Sequence, residues 1–145
     1  MTLNSFNIGS DCRVVLQHPL APGGQLNFGD VTNFKSEQQT KSIKYTRMDG
    51  KTKLGEFPEG WSGSFDMQRT GSDVDDFMAT LEQSILNNQN PGPGTIFQYV
   101  NNPNGSTSTY QYPDAVFKFS DAGTYTGAEA VKQTLNFEAS TRVRV

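Results

Sequence analysis

Residues 61–68 alternate strictly between apolar or small side chains and polar ones, and this pattern constrains the fold more than any other. The apolar set is Trp61, Gly63, Phe65 and Met67, and the polar set is Ser62, Ser64, Asp66 and Gln68. Successive side chains of a β-strand point to opposite faces, so this period of two predicts a strand with one packed face and one polar face. The chain is therefore predicted to contain a sheet whose second face is hydrophilic.

An α-helix over residues 72–87 is predicted directly after this strand. Ser72 is in the position of an N-cap, and Asp75 completes the spacing of a capping box. The first turn, where the helix dipole favours negative charge, carries the carboxylates Asp73, Asp75 and Asp76. One apolar stripe follows at helical spacing and consists of Val74, Phe77, Met78, Leu81 and Ile85. The pattern predicts an amphipathic helix that packs on the sheet.

Weaker alternations and turn residues predict the remaining strands. Residues 130–145 alternate throughout and predict one long strand, with Asn136 and Glu138 on its polar side. Shorter strands are predicted at residues 12–17, at 25–35 with a bend at Gly29-Asp30, at 95–100, at 107–112 and at 115–120. Residues 37–41 are polar and show no pattern of a buried face. These elements add up to a mainly β fold, a β-sandwich or small barrel with one packed α-helix.

Residues 41–57 are predicted to form a protruding hairpin, because Asp49-Gly50 is a dipeptide typical of tight β-turns. Between residues 41 and 53 the hairpin is basic and contains five cations, Lys41, Lys44, Arg47, Lys51 and Lys53, against one acid, Asp49. Residues 56–82 carry seven acids and one cation. This asymmetry has two interpretations. The two segments pair within one chain, or the hairpin docks on a neighbouring copy by complementary charge.

Composition and motifs argue against several classes of function. The chain has 145 residues, enough for a single domain, and a net charge of −3 that argues against a general nucleic-acid binder. One cysteine excludes an internal disulfide, and the one histidine, His18, precedes Pro19 in a turn. We find no catalytic, cofactor-binding or metal-binding motif, no apolar run approaching the roughly 20 residues of a membrane span, and no signal peptide. A non-enzymatic protein without membrane contact, kept in a cytosol, is the expectation.

The order of elements resembles that of a known structural family. It comprises a β-rich N-terminal half, a charged hairpin around Met48-Asp49-Gly50, the block Gly60–Arg69 (GWSGSFDMQR), the helix from Ser72, and the C-terminal RVRV. This arrangement resembles the tail tube proteins of contractile-tailed bacteriophages, which are similar in fold to the tube protein of type VI secretion. The resemblance implies hexameric rings, stacked into a tube, whose strands join into one continuous β-barrel around a channel for DNA.

The resemblance also implies roles for particular residues. Candidate lumen-facing residues are Ser62, Ser64, Asp66, Gln68, Asn136 and Glu138, and candidate inter-ring contacts are Lys44, Arg47, Asp49, Lys51 and Lys53. Candidate contacts to a sheath or a flanking subunit are Asp73, Asp75 and Asp76. Asp66 and Glu138 would make the channel wall negative and keep DNA from adhering, whereas Lys132 and Arg144 share their parity and oppose this charge.

The implied partners are other copies of the chain together with tail sheath, baseplate and tail-terminator proteins, and DNA passes through the lumen without specific binding. The implied location is the virion tail, assembled in the host cytoplasm. Two alternatives stay open: a baseplate, terminator or secretion-tube ring of the same fold, and a monomeric ligand-binding β-sandwich. The latter would use Trp61, Tyr99, Tyr110 and Tyr112 as a stacking platform for a carbohydrate.

Overall fold

Eight strands and one α-helix make up the described part of the chain, in a computed structural model that describes residues 6–21, 24–27 and 31–145. A 3₁₀ turn at Gly9–Asp11 is followed by β1 (Cys12–Gln17), β2 (Gln25–Asn27), β3 (Val31–Thr46), β4 (Thr52–Gln68), α1 (Asp73–Leu86), β5 (Gly94–Asn101), β6 (Thr107–Asp121), β7 (Lys132–Ala139) and β8 (Val143–Arg144). The prediction of a mainly β fold with one helix is confirmed.

The strands form two antiparallel sheets that share β6. The first sheet has the order β2-β1-β5-β6, with β8 on the other side of β6. The second sheet has the order β6-β7-β4-β3. The path ends at β2 and β3, so the described strands do not close into a barrel within one chain.

Strand β6 passes from the first sheet into the second, and the prediction of two separate strands at 107–112 and 115–120 is wrong. The bend lies at Pro113-Asp114, where Asp114 takes a positive φ of 55° and the pairing with β5 shifts register. The Pro113 carbonyl accepts a hydrogen bond from the backbone N–H of Ser140. A proline and a left-handed residue look like a turn in sequence, but here they bend a continuous strand.

The predicted strand at residues 130–145 is also wrong, because it breaks at Ser140. The chain crosses there from the second sheet to the first, and β8 pairs with Tyr110 and Gln111 of β6. The guanidinium of Arg142 lies 3.7 Å from the ring centroid of Tyr110 and fixes the crossing by a cation–π contact. Alternation continues across the break, so the pattern alone does not reveal it.

Strand β3 runs without interruption through residues 37–41, although their sequence shows no pattern of a buried face. Its register with β4 extends from Val31↔Met67 to Thr46↔Thr52, with an irregularity between Gln39 and Thr40. The backbone hydrogen bonds of one neighbouring strand are sufficient for this pairing, so no buried side-chain pattern is needed. The predicted bend at Gly29-Asp30 lies outside the described residues, and its flanking strands β2 and β3 belong to different sheets.

The core lies between the two sheets and is dominated by aromatic rings. Tyr112 of the first sheet packs edge-on against Phe137 and Trp61 of the second. The buried apolar residues are Val14, Leu16, Ala21, Leu26, Phe65, Met67, Phe77, Ile96, Tyr112, Ala115, Leu135, Phe137 and Ala139. Each large side chain buried in this way contributes about 1.5–3 kcal/mol to stability. The packed faces predicted for β4 and for the strand containing Leu135 and Phe137 are therefore present.

Helix α1 packs on the core through Phe77, whose ring contacts Phe117 of β6 edge-on with 6.2 Å between centroids. The partly buried residues Val74, Met78 and Leu81 accompany it, whereas Ile85 stays exposed.

The predicted capping box is wrong. Ser72 is at the N-cap but makes no capping hydrogen bond, and its hydroxyl donates to the carboxylate of Asp76.

Candidate functional site

The second sheet presents one continuous polar face, which we call the polar face. In antiparallel pairing, directly opposed residues point to the same side of the sheet. Ser62 opposes Glu138, Ser64 opposes Asn136, Asp66 opposes Thr134, and Gln68 opposes Lys132. The structure therefore brings all six candidate lumen residues of β4 and β7 together on one side.

The outer strands add residues that the sequence analysis missed. On β3, Lys35 opposes Ser64 and Glu37 opposes Ser62, and on β6, Lys118 opposes Asn136. Lys35 and Glu37 alternate with Phe34 and Ser36, which is a strand signal, but residues 37–41 do not continue it with a buried face. The polar face is therefore four strands wide.

Asp66 is the most constrained carboxylate on the polar face. Its oxygens accept hydrogen bonds from the Thr134 hydroxyl at 2.9 Å and the Asn33 amide at 3.2 Å, and the Lys132 ammonium lies 3.6 Å away. The two hydrogen bonds, first that of Thr134 and then that of Asn33, lower the pKa of Asp66 below its ordinary value. Its negative charge is thus held in place and offset by Lys132.

The polar face is close to neutral instead of strongly acidic. Within residues 33–37, 62–68, 116–121 and 132–138, the charged side chains are three lysines, Lys35, Lys118 and Lys132, against four acids, Glu37, Asp66, Asp121 and Glu138. The ammonium of Lys35 lies 2.7 Å from Glu37, and its hydrogen bond to that carboxylate raises the pKa of Lys35. Two of the three lysines are therefore paired with acids. The expectation of a negative wall from Asp66 and Glu138 has to include these cations.

Both outer strands of the second sheet have a free edge. Strand β3 pairs only with β4, and the second half of β6, from Val116 to Asp121, pairs only with β7 among the described strands. Free edges expose unpaired N–H and C=O groups that accept a strand from another chain. All neighbours in this sheet are antiparallel, so β6 and β3 run in opposite directions, and β3 of one copy fits antiparallel beside β6 of the next.

The hairpin of β3 and β4 extends beyond the rest of the second sheet, and its residues 41–54 are exposed. Its turn is a three-residue loop in which the Gly50 N–H donates to the Arg47 carbonyl and Gly50 takes a φ of 85°. The carboxylate of Asp49 accepts from the Lys51 N–H and lies 3.5 Å from the Arg47 guanidinium. Asp49 therefore shapes the turn, while Lys51 and Lys53 make no ion pair within the described chain.

The three acids of the helix start differ in their surroundings. Asp73 is exposed, and Asp76 is exposed and accepts from Ser72. Asp75 is half-buried, with its oxygens 2.7 Å from Nε of Arg69 and 2.9 Å from the side-chain amide of Gln133. The hydrogen bond from Arg69 to Asp75 raises the pKa of Arg69. Asp75 is thus engaged inside the molecule, which leaves Asp73 and Asp76 available for contacts.

His18 has a structural role in the fold. Its ring is buried, with Nδ1 accepting from the Leu20 N–H at 3.0 Å and Nε2 donating to the Gly92 carbonyl at 3.1 Å. These bonds join two loops and place the ring edge-on against Phe77.

Within residues 6–21, 24–27 and 31–145, no three His, Cys, Asp or Glu side chains cluster as metal ligands would. In the same described ranges, no helix has the length and hydrophobicity to cross a membrane.

The aromatic residues of the proposed stacking platform are used internally. Tyr112 is completely buried, and its hydroxyl bonds with Gln98 at 3.0 Å and with Ser36 at 3.2 Å. Trp61 packs edge-on against Tyr112, and Tyr110 is covered by the guanidinium of Arg142. The guanidinium of Arg13 lies 4.7 Å from the ring centroid of Tyr99, the fourth member. A carbohydrate-binding platform requires exposed ring faces, so these contacts argue against a stacking platform built from these four residues.

Solved structures show what this arrangement is similar to. A chain of the anti-feeding prophage tube-terminating cap matches with a TM-score of 0.65 and 13% identity, covering 100% of this chain and 95% of that one. The SPP1 tail tube matches with a TM-score of 0.59 and 16% identity, covering 94% of this chain and 77% of that one. A chain of the sheath–tube complex of the PVC extracellular contractile injection system matches with a TM-score of 0.60 and 10% identity, covering 92% of this chain and 88% of that one. The chain has the tail-tube fold. Neither a protein-family model nor a curated protein matches the sequence.

Proposed function

We propose that this chain is a structural tail protein that forms rings, and that the rings stack into the inner tube of a phage-like tail. The observation that carries the proposal is the second sheet, which combines one polar face with two free, oppositely directed edges. Joining β3 of each copy to β6 of the next makes a closed wall of four strands per copy. Closure removes every free edge of that sheet, which an isolated chain leaves open.

Six copies per ring is the proposed stoichiometry. The anti-feeding prophage baseplate, symmetrised six-fold, and the gene transfer agent tail, refined with C6 symmetry, both contain chains of this fold. A head-to-tail interface that closes by rotation gives a ring of this kind. The exposed hairpin would then reach the next ring, with Lys44, Arg47, Asp49, Lys51 and Lys53 among its contacts. Tail sheath, baseplate and terminator proteins are the proposed external partners, with Asp73 and Asp76 as contacts.

The polar face is the proposed wall of a channel that passes DNA. Nucleic-acid binding requires several unpaired cations that displace counterions from phosphates. On the polar face Lys35 and Lys132 are paired with Glu37 and Asp66, which leaves Lys118 as the cation of that face without an ion pair in the described chain. A wall of this composition is hydrated and has weak affinity for DNA. It therefore suits a conduit in the virion tail.

Electron microscopy of the purified protein tests this function. The wild-type chain is expected to give six-fold rings and hollow tubes whose channel is lined by the polar face. The matched variant replaces residues 43–55 with Asn-Gly, because Ser42 opposes Glu56 and a two-residue turn closes that register. This variant should form rings without tubes. A wild-type protein that stays monomeric at high concentration would falsify the proposal.

A terminator or cap ring is the second candidate, favoured by the match to the anti-feeding prophage cap. A terminator adds to the end of a tube and does not polymerise by itself. Wild-type rings that fail to stack, yet bind the ends of tubes formed by another protein, would select this function over that of the main tube.

A further inference from the structure

The projecting hairpin has two chemically different faces. Register pairs Lys41 with Phe57, Ile43 with Gly55, and Tyr45 with Lys53, so these six residues share one side. Three of them are large, apolar and exposed, and we call them the apolar face: Ile43 (43%), Tyr45 (59%) and Phe57 (55%). No further sheet is paired with the hairpin in the described chain, so these side chains stay in contact with solvent.

The opposite side of the same hairpin is mostly polar. It consists of the pairs Ser42 with Glu56, Lys44 with Leu54, and Thr46 with Thr52. The Ser42 hydroxyl donates to the Glu56 carboxylate, and this bond lowers the pKa of Glu56. Leu54 is the one large apolar side chain here and is 78% exposed. The hairpin is therefore amphipathic, and Leu54 provides a control position on the other side.

The apolar face begins where the polar face ends. Alternation along β3 places Ile43 and Tyr45 on the same side as Lys35 and Glu37. That side is hydrophilic inside the second sheet and apolar only in the hairpin. The lining of a hydrated channel does not account for this change from hydrophilic to apolar side chains. An exposed apolar patch rimmed by lysines is typical of a contact with another protein.

Charge complementarity indicates that the contacting protein is a second copy of this chain. The hairpin tip is basic, with Lys51 and Lys53 free of ion pairs in the described chain. The far end of the 17-residue strand β4, about 55 Å away, lies beside the exposed acids Asp73, Asp76 and Asp121, which make no ion pair among the described residues. Head-to-tail stacking brings the basic end of one copy against the acidic end of the next.

We infer that the apolar face docks on the acidic end of a copy in the adjacent ring, an inference that rests on the proposed tube function. Burial of Ile43, Tyr45 and Phe57 holds the rings together, and the lysines orient the approach. Apolar burial is not weakened by ionic screening, whereas attraction between exposed charges is screened within about 10 Å at 0.1 M salt. The hairpin therefore stacks rings by apolar contact and uses its charges mainly for recognition.

The test compares Phe57→Ser with Leu54→Ser, two exposed apolar residues of the same strand on opposite sides of the hairpin. The critical concentration for tube formation is measured by light scattering and electron microscopy at about 0.1 M and about 1 M NaCl. Phe57→Ser should raise the critical concentration about tenfold at both salt concentrations, and Leu54→Ser should change it less than about twofold. Thermal melting should be unchanged for both variants, because neither side chain touches the core.

Three results overturn the inference. Tubes of Phe57→Ser that form at the wild-type concentration exclude docking through the apolar face, while the tube function stands. An equal rise in the critical concentration for Phe57→Ser and Leu54→Ser shows that neither side of the hairpin is preferred for docking. Wild-type tubes that separate into rings at about 1 M NaCl show that charge holds them together. By contrast, a wild-type chain that forms neither rings nor tubes overturns the proposed function and the docking together.

Discussion

Phe34 of β3 and Phe137 of β7 stack face to face, with ring centroids 5.8 Å apart and an interplanar angle of 1°, although β4 lies between their strands. The residue of β4 that opposes both Phe137 and Ser36 is Gly63. A Cβ at Gly63 would lie 2.8 Å from the Phe137 ring and 1.9 Å from the Lys35 carbonyl oxygen. The missing side chain therefore leaves the space in which the two rings meet.

Gly63→Ala is expected to destabilise the chain by about 3 kcal/mol, because the added methyl group meets backbone that cannot move without disturbing the β3–β4 register. Chemical denaturation of the isolated chain measures the loss. Gly71→Ala is the matched control, since a Cβ there meets nothing within 4 Å. The control should stay within about 0.5 kcal/mol of the wild type. Equal stability of both variants would contradict the packing described for Gly63.

Asp66→Asn is expected to cost about 1–2 kcal/mol at neutral pH, because the charged acceptor of the Thr134 and Asn33 hydrogen bonds is lost. The pKa of Asp66 is lowered in the folded state, so its contribution is fully present above the unfolded value near 3.9 and is lost as pH falls through the folded pKa. The stability difference between variant and wild type should therefore shrink below about pH 4. Urea denaturation of both proteins from pH 7 to pH 2 measures this difference in the free energy of unfolding.

Glu138→Gln is the control for Asp66→Asn, because it removes a carboxylate from the same polar face. Glu138 is exposed and forms no ion pair in the described chain, so its replacement should change the stability at pH 7 by less than about 0.5 kcal/mol. A loss as large as that of Asp66→Asn would mean that the overall charge of the face matters more than the local hydrogen bonds.

His18→Phe is expected to lower the free energy of unfolding by about 2 kcal/mol. The replacement fills the space but leaves the Leu20 N–H and the Gly92 carbonyl without their side-chain partner. His18→Gln, which carries both a donor and an acceptor, should recover part of the loss. If His18→Phe is as stable as the wild type, the two hydrogen bonds do not contribute to the joining of these loops.

Lys51→Glu with Lys53→Glu is expected to slow ring stacking about tenfold at low ionic strength and to have little effect at about 1 M salt. Exposed charges change the encounter rate more than the final affinity, and both lysines are exposed at the hairpin tip. Stopped-flow light scattering measures the rate. The control is the double variant Lys118→Glu, Arg144→Glu, which makes the same change in net charge outside the hairpin. If this control slows ring stacking equally and with the same salt dependence, the hairpin tip has no local role.

The strongest local patterns predicted their structures well. The alternation around Phe65 and Met67 correctly identifies the packed face of β4, and the apolar stripe around Phe77 identifies the helix. Parity also identifies the polar sides of β4 and β7, and the register places these residues side by side. Their use as a channel wall stays a prediction, as do the inter-ring and sheath contacts.

Other features depend on long-range contacts that no local pattern encodes. The break at Ser140 occurs within an unbroken alternation, and only pairing with two different sheets reveals it. Gln133 has the parity of Leu135 and is buried, but its partners Asp75 and Ala122 come from other elements. In the same way, Asp75 satisfies the spacing of a helix cap, yet it turns to Arg69 because a salt bridge is available there.

By itself, the sequence determined which side of the alternating strands is apolar and where the helix lies, because the periods of two and 3.6 follow from backbone geometry. The tertiary structure decided how far each strand runs, which sheet it joins and which edges remain free, because these depend on backbone partners distant in the chain. The free edges of β3 and β6 and the amphipathic hairpin belong to this second group. The surfaces on which the proposed assembly depends are therefore products of strand pairing.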